Sequence, residues 1–448
     1  MLSDGQQNGA SGHRGLLERM LIDEPHRFRV DGRVQNDPEV FRLEMERIFS
    51  RSWVYVGHES EIAQPGDYRT AILGTEPIII SRGDDGAIHA VYNRCMHRGA
   101  VVCRTERGHS NHFRCPYHNW VYRKDGTLVG MAQRSGYGEN FDSSELDLTR
   151  VPRIDTYRGL IFACKDPGVI PLLERLGPTA WYIDQWADRS PLGRVTLAEG
   201  VHRYEYPGNW KFQLENGVDG YHGNYVHESF VKILDRSGDR DRSSMARSRN
   251  TVGSRNYAKG LPFGDALLER ADGMIGTFDY AGIERYRQAI VEAHGSDRLD
   301  DILTQRNILV FPNLYLFESH IRVMRPVSAS STIVDQFPTW LEGIDDSINV
   351  ARLREHERFF GPSSFGATDD IEIFLLNQTG VGATSSRWLD FSRGLEREQT
   401  VGLERVGHST DEAPQRSIYR EWFRLMTAQP SPVAPRASAP DSPPIRGV

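Results

Sequence analysis

Cysteine is scarce in this chain of 448 residues: Cys95, Cys103, Cys115 and Cys164 are all there are. Four are too few to staple a chain of this size with disulfides, so a reducing cytoplasm is the expected compartment. Long apolar runs are missing too. None approaches the roughly 20 residues of a membrane span. Positive charge is not in excess, since the formal net charge is -7, and the surface as a whole does not attract nucleic acid or anionic membranes. No Gly-x-Gly-x-x-Gly follows a strand, so no nicotinamide or flavin segment is expected. There is no internal repeat. The opening "MLSDGQQNGASGHRG" lacks the apolar core of a signal peptide and reads as a frayed end. The Pro/Ser/Ala-rich tail 429–448 reads as disordered.

What remains is a long, ordinarily composed chain for which two structural units are the natural expectation. Residues 37–50, "DPEVFRLEMERIFS", predict a helix with Val40, Phe41, Met45, Ile48 and Phe49 on a broad apolar face. From Trp53 to about Cys164 short strands alternate with turn signals, including hairpins turning at Asp85-Gly86 and Asp125-Gly126. Beyond residue 165 helix and strand patterns mix. "LLERLGPTAWYIDQWA" predicts helix with a break at Pro178, and "RNILVFPNLYLFESHIRVMRPVS" predicts two or three strands. The charged, Ser/Gly-rich stretch 235–256 reads as a solvated loop, with a cover over a pocket as the sharper alternative. The division expected is therefore an N-terminal segment, 1–50, packing on the larger C-terminal domain; an all-β domain, 51–165; a mixed antiparallel-sheet-and-helix domain, 166–428; and the tail.

Two Cys/His pairs lie inside the β-rich part: Cys95-x-His97, then seventeen residues, then Cys115-x-x-His118. The plain reading is a structural zinc site, since zinc takes two Cys and two His. Against it, the pairs are placed at the tips of β-hairpins, in a domain large enough to fold without a metal staple. Each is also embedded in a fuller signature, "CMHRGA" and "CPYHNW", that resembles the Rieske iron–sulfur domain. The resemblance implies a [2Fe–2S] cluster with one iron on Cys95 and Cys115 and the other on His97 and His118. One position departs: the family usually has Gly after the second His, and here it is Asn119, the non-Gly residue best able to take a left-handed backbone. Cys103 and Cys164 read as small buried residues.

The second constellation is "NWKFQLENGVDGYHGNYVHESF", Asn209 to Phe230. Asp219 and His222, three apart, would share a helix face. His222 and His227, five apart, are turned by about 140° in an ideal helix, so both reach one atom only if the helix is irregular or ends there. Gly217, Gly220 and Gly223 make such irregularity expected; three Gly otherwise cost about 1 kcal/mol each. Alone, the two His would pass for ordinary polar residues. In context, "ENGVDGYHGNYVH" resembles the mononuclear iron motif of the Rieske non-heme iron oxygenases, the catalytic subunits of aromatic ring-hydroxylating dioxygenases. The resemblance runs from Trp53 through Met426.

That resemblance implies an α+β architecture, an all-β Rieske domain followed by a helix-grip, START-like catalytic domain. It implies His222, His227 and a downstream Asp370 as ligands of a mononuclear Fe(II), with open positions for dioxygen and substrate. Asp369 is expected to N-cap the helix that follows, with Glu372 completing a capping box; for Asp370 the plainer alternative is a first-turn acid favoured by the helix dipole. Asp219 would bridge the iron-ligating His222 to His118 of a neighbouring copy, which implies a cyclic homotrimer and electron transfer between chains. Asn216, Gly217 and Gly223 are active-site candidates. Electrons would come from NAD(P)H indirectly, through a separate reductase and in some systems a ferredoxin, and both oxygen atoms would enter an aromatic ring as a cis-dihydrodiol. The form "ENGVDGYH" is closest to the benzoate, toluate and anthranilate dioxygenase branch, which points to an aromatic carboxylate as substrate. Arg322, Arg325 and Arg387 are then candidate carboxylate binders; strand alternation lets at most one of Arg322 and Arg325 face inward. The family pairs its catalytic subunit with a small β subunit in some members and not in others. A Rieske monooxygenase or demethylase is the rival within the class. A zinc-stabilised binding protein and an electron carrier with a decayed second site are the rivals outside it.

Overall fold

The computed structural model describes residues 15–197, 200–238, 256–270 and 282–428. The expected frayed start (1–14), the expected disordered tail (429–448) and most of the 235–256 loop (239–255) lie outside these residues.

The N-terminal hairpin, Leu21–Glu24 with Arg27–Asp31, is completed by a strand from far downstream, Trp388–Asp390. The predicted helix follows as Pro38–Arg47. Asp37 caps it, its side chain accepting from the Glu39 backbone N–H, and Pro38 occupies a first-turn position where no N–H is needed.

The β-rich region builds three small antiparallel sheets. Four strands run in the order Ile88–Tyr92, Glu76–Arg82, Asp67–Leu73, Arg107–His109. Leu128–Gly130, Val121–Arg123 and His112–Arg114 form a second sheet; Arg153–Tyr157, Leu160–Cys164 and Val54–His58 form the third. Both predicted hairpins are present, with Gly86 and Gly126 at φ +81° and +93°, the left-handed backbone such turns need. The loop carrying Cys95 and His97 is not a hairpin tip, contrary to expectation. The strands on either side of it lie at opposite edges of the four-stranded sheet, so residues 93–106 cross its end. Only the pair Cys115/His118 sits on a hairpin, between His112–Arg114 and Val121–Arg123.

The larger unit is a ten-stranded antiparallel sheet. "RNILVFPNLYLFESHIRVMRPVS" supplies three of its central strands: Gln305–Val310, Leu314–Leu316 and His320–Ser328. The helix Trp210–Gly217 packs on the first and third of these, and the long helix Ala413–Thr427 lies across Asn256–Gly260 and Ala266–Arg270. The helix Ala367–Gly380 lies beside Trp210–Gly217. The α+β expectation holds.

One buried ion pair ties three of these helices together. Glu44 and Lys211 are both inaccessible to solvent, 2.6 Å apart. The indoles of Trp210 and Trp422 donate to the same carboxylate at 2.8 and 2.7 Å. Burial pulls the Lys211 pKa down, against the opposing pull of Glu44. Removing one partner leaves a buried uncompensated charge, so Glu44→Leu is expected to cost about 3–5 kcal/mol in chemical denaturation followed by tryptophan fluorescence. The pair Glu44→Leu with Lys211→Met should recover most of that loss. A double variant as unstable as the single one would show that the indole hydrogen bonds, rather than the ion pair, hold the three helices.

Candidate metal centres

The two Cys/His loops share one backbone design. In each, the cysteine N–H donates to the carbonyl five residues on (Cys95 to Ala100, 2.9 Å; Cys115 to Trp120, 2.8 Å). In each, the N–H four residues on donates back to the cysteine carbonyl (Gly99, 2.9 Å; Asn119, 3.0 Å). That fourth residue is left-handed both times, Gly99 at φ +76° and Asn119 at φ +54°. Asn119 therefore takes the conformation its position demands, and the departure from Gly leaves the loop intact.

Both cysteines are buried. The Cys95 Sγ lies 3.3 Å from the Tyr122 hydroxyl, which also accepts from the Met96 N–H. His97 stacks on Trp120 with ring centroids 4.9 Å apart and rests 4.6 Å from His118. The Nδ1 atoms of both imidazoles are buried without a hydrogen-bond partner. Burial raises the Cys95 thiol, and the neighbouring Cys115 raises it further. Buried, unsatisfied nitrogens are costly, and a bound cation relieves them by taking the lone pairs and displaces protons from the thiols that join it. A single zinc would draw four donor atoms to within about 4 Å of one another. Among the described residues, the one His/Cys/Asp/Glu group whose ligand atoms all lie within 4.8 Å is His222, His227 and Asp370. The Cys/His quartet is spread wider than one ion would draw it, which fits a group of more than one metal atom.

The second centre rests on an interrupted helix. Asn209 caps Trp210–Gly217, the chain then leaves helix over 218–222, and it resumes as Gly223–Val226 and Glu228–Arg236. A side chain at Gly217 would run into the Tyr315 ring, its Cβ only 2.5 Å from the nearest ring carbon, and the Gly217 carbonyl accepts from Asn307 at 2.8 Å. The break removes the angular mismatch, so that His222 and His227 converge. Their Nε2 atoms lie 3.6 and 3.4 Å from Asp370 Oδ1. Asn216 donates to the same oxygen at 3.1 Å and lies 3.3 Å from His222 Nε2.

Two expectations need correction here. Asp219 and His222 do not share a helix face, because the helix has already ended. Asp219 Oδ1 instead accepts from the N–H groups of Tyr221 and His222, and Oδ2 lies 3.5 Å from His222 Nδ1. Asp369 does not cap its helix: that helix starts at Ala367 with Gly366 in the cap position. Asp369 thus falls inside the first turn, accepts from Ser229 Oγ at 3.0 Å, and lies 3.6 Å from His227 Nδ1. Each imidazole is held between two carboxylates, Asp370 on its Nε2 side and Asp219 or Asp369 on its Nδ1 side. Burial opposes charge on His222, but Asp219 and Asp370 outweigh it and raise its pKa. On His227 burial prevails and the pKa is lowered.

A cavity of about 190 Å³ opens beside these residues, lined by Asn216, Gly217, Gly223 and the three convergent side chains, with Phe359 and Phe360 among its walls. Of the three candidate arginines only Arg322 lines it. Arg325 is on the other face of its strand, 2.9 Å from Asp335, and Arg387 is paired with Asp31. The aromatic wall and the part played by Asp369 are not legible from spacing, because both depend on where the helices 346–359 and 367–380 end and begin.

Comparison with known proteins agrees with this geometry. Residues 52–147 match the Rieske [2Fe-2S] domain, and residues 196–428 match the catalytic domain of the ring hydroxylating alpha subunit. The chain is 34% identical over 399 residues to the large subunit of 2-halobenzoate 1,2-dioxygenase from Burkholderia cepacia, covering 86% of this chain and 84% of that one. It is 32% identical over 429 residues to the large subunit of anthranilate 1,2-dioxygenase from Acinetobacter baylyi, covering 89% of each. A solved structure of naphthalene 1,2-dioxygenase with indole in its active site superposes with a TM-score of 0.81 at 26% identity, over 92% of this chain and 94% of that one. No helix among the described residues is long and apolar enough to cross a membrane.

The position of Asp369 makes a specific demand. Carboxylates behind a metal-ligating imidazole fix its tautomer and orientation, and losing one typically costs tenfold to a hundredfold in metal affinity. Asp369→Ala is expected to weaken ferrous iron binding by about that factor in an anaerobic titration of the iron-depleted protein, with the visible absorption of the cluster retained. Parent-level affinity would reduce Asp369 to a partner of Ser229.

Proposed function

This chain belongs to the ring-hydroxylating alpha subunits, and from that premise we propose that it is the terminal oxygenase adding both atoms of dioxygen, cis to one another, to the ring of an aromatic acid. It is a Rieske-type dioxygenase, and the family's two iron groups, a [2Fe–2S] cluster and a mononuclear iron, are its cofactors. The observation that carries the reading is the convergence of His222, His227 and Asp370 from two distant segments, within reach of one ion and beside a cavity walled by aromatic rings. The acid preference is supported by the relatives, named for halobenzoate and anthranilate. The cavity is smaller than the roughly 300–1,000 Å³ of sites for drug-sized ligands, which favours a single ring.

In this reading Cys95, His97, Cys115 and His118 hold the cluster, and His222, His227 and Asp370 hold the mononuclear iron. These groups, when bound, supply one-electron relay and dioxygen activation. The chain's own residues do the rest. Asp219 and Asp369 keep the protons of His222 and His227 on Nδ1, so that each Nε2 lone pair faces Asp370. Asn216 holds the Asp370 carboxylate. Phe359 and Phe360 present flat apolar faces to the substrate and keep water from it. The reaction balances as arene plus dioxygen plus NAD(P)H and a proton, giving the cis-dihydrodiol and NAD(P)⁺. No segment here resembles a nicotinamide site, so a separate reductase, directly or through a ferredoxin, delivers the electrons.

The same reading divides the chain at about residues 50, 165 and 428, places it in the cytoplasm and assembles it as a homotrimer, with or without a small β subunit. Asp219 then reaches His118 of a neighbouring copy. Supporting that, Asp219 is 30% exposed through its side chain, beside the exposed rings of Tyr221 and Tyr225.

The test is a single turnover of chemically reduced holoenzyme with benzoates, neutral arenes and ¹⁸O₂. The expected product carries two labelled atoms. One labelled atom, or loss of a methyl group, would move the enzyme to the monooxygenases. His222→Ala and Asp370→Ala should abolish product and keep the cluster spectrum; turnover retained in both would remove the iron assignment. Asp219→Asn should keep both metals while slowing oxidation of the reduced cluster, and oxidation at the parent rate would end the bridging role.

A further inference from the structure

Arg322 is 4% exposed, yet its guanidinium has no carboxylate within 4.0 Å among the described residues, and its Nε is buried without a hydrogen-bond partner. It lines the cavity that holds His222, His227 and Asp370. Arg270 and Arg352, the other arginines of that cavity, share the orphaned Nε and differ in the partners they do have. Arg352 donates to the carbonyls of Thr339 and Glu318 and to the Asn349 side chain, and Arg270 has partners of its own. Glu318 and Glu355 also line the cavity; Glu355 lies 3.7 Å from Arg358, and each has interactions of its own.

What surrounds Arg322 supports it without neutralising it. Its guanidinium lies over the Phe317 ring at 4.6 Å and near the Phe360 ring at 5.8 Å. Such faces hold a guanidinium plane in place through the ring quadrupole. The neighbouring phenols and imidazoles supply no negative charge. Burial keeps the phenols of Tyr204 and Tyr315 protonated, and it holds His320 well below its usual pKa and His356 down to about 3, so both imidazoles are neutral at pH 7. A buried charge without a counter-ion is costly, and a ligand carboxylate would complete this one.

The distance to be spanned is walled by aromatic rings. Phe359 rests on His227 at 5.1 Å, Phe360 on Phe359 at 4.8 Å, and Phe317 on Phe360 at 5.5 Å. The wall leads from a metal-site imidazole to the guanidinium. We propose that Arg322 is the carboxylate-recognising residue of this site: it takes the carboxylate of an aryl acid through paired N–H donors, while the ring lies along Phe359 and Phe360 toward His227 and Asp370. This rests on the ring-hydroxylase reading above and assigns its substrate class to one residue.

The experiment measures equilibrium binding of benzoate and of benzamide, the same shape without the charge, to oxygen-free oxidised holoenzyme by calorimetry. KM and kcat for benzoate are taken alongside. Arg322→Met is expected to weaken benzoate binding by about tenfold to a hundredfold, the range of a hydrogen bond to a charged group. Benzamide should lose much less, and the loss for benzoate should fall on KM more than on kcat. If Arg322→Met does not fold, Arg322→Lys keeps the charge and gives up the paired donors, and benzoate should then weaken severalfold relative to benzamide. Benzoate affinity within twofold of the parent in a folded variant would overturn the assignment while leaving the ring-hydroxylase reading in place. A parent enzyme that dioxygenates neutral arenes but does not bind benzoate would also overturn it. Failure of the parent to dioxygenate either class would overturn the function itself, and the assignment with it.

Discussion

Two imidazoles five residues apart on a helix point in different directions, and everything around the second metal centre follows from how the chain resolves that. It ends one helix at Gly217 and starts another at Gly223. An interruption of this kind in the interior strands backbone polar groups, and each must be satisfied locally. Asn307 takes the Gly217 carbonyl, and the Asp219 carboxylate takes the N–H groups of Tyr221 and His222. The helix before the break is pinned in turn. Its Lys211 is buried against Glu44, its Leu214 carbonyl accepts from the Tyr315 hydroxyl, and Glu215 is held by Gln35 and Tyr419. Burial pushes Glu215 up to about 7 despite those donors. The segment that leads to the metal residues is thus fixed by buried charge and hydrogen bonding, where an apolar helix would rely on packing alone.

The two centres solve the same problem, holding a cation inside protein, with opposite electrostatics. The Cys/His loops bring two buried cysteines and two imidazoles together with no carboxylate among them, and burial disfavours charge on both Cys95 and His97. The His/His/Asp centre is surrounded by carboxylates before any metal arrives. Three of them, Asp219, Asp369 and Asp370, face two imidazoles. Such a site carries net negative charge, attracts a divalent cation and holds His nitrogens in one tautomer. The contrast matches the difference between a group that stores an electron and one that must keep positions open for small ligands.

Much of this was legible in the residues, and the failures have physical reasons. The Cys/His signatures, the helix at 38–47, the break at Pro178 and the two Asp-Gly hairpins depend on local chemistry, and local chemistry decided them. Asn119 was legible as a left-handed residue, because few other side chains tolerate that conformation. Asp369 was misread because a capping box is a statement about where a helix begins. The helix begins three residues further upstream, with Gly366 in the cap position where the Phe359 ring and carbonyl leave no room for a side chain. The loop of Cys95 was misread because a hairpin and a crossing loop look alike until strand order is known. The sharing of a face by Asp219 and His222 failed for a related reason: the glycines that allowed the imidazoles to converge also removed the helix on which that spacing argument relied.

The strand His320–Ser328 shows how far one parity choice reaches. Arg322 turns to the metal cavity, while Arg325, three residues on, joins Arg203 on Asp335 in a cleft that also holds Arg69 and Glu106 from the Rieske half. A slip of one residue would exchange the faces, placing Val323 against the aromatic wall and burying Arg322 among cations of the cleft. The register is secured by pairing along nearly the whole length of Ser331–Leu341 on one side and by Leu314–Leu316 on the other. Sequence alternation says that the two arginines part ways, and only the pairing partners say which one lines the cavity. The same ladder therefore settles both the contact between the two halves of the chain and the charge presented to whatever enters the cavity.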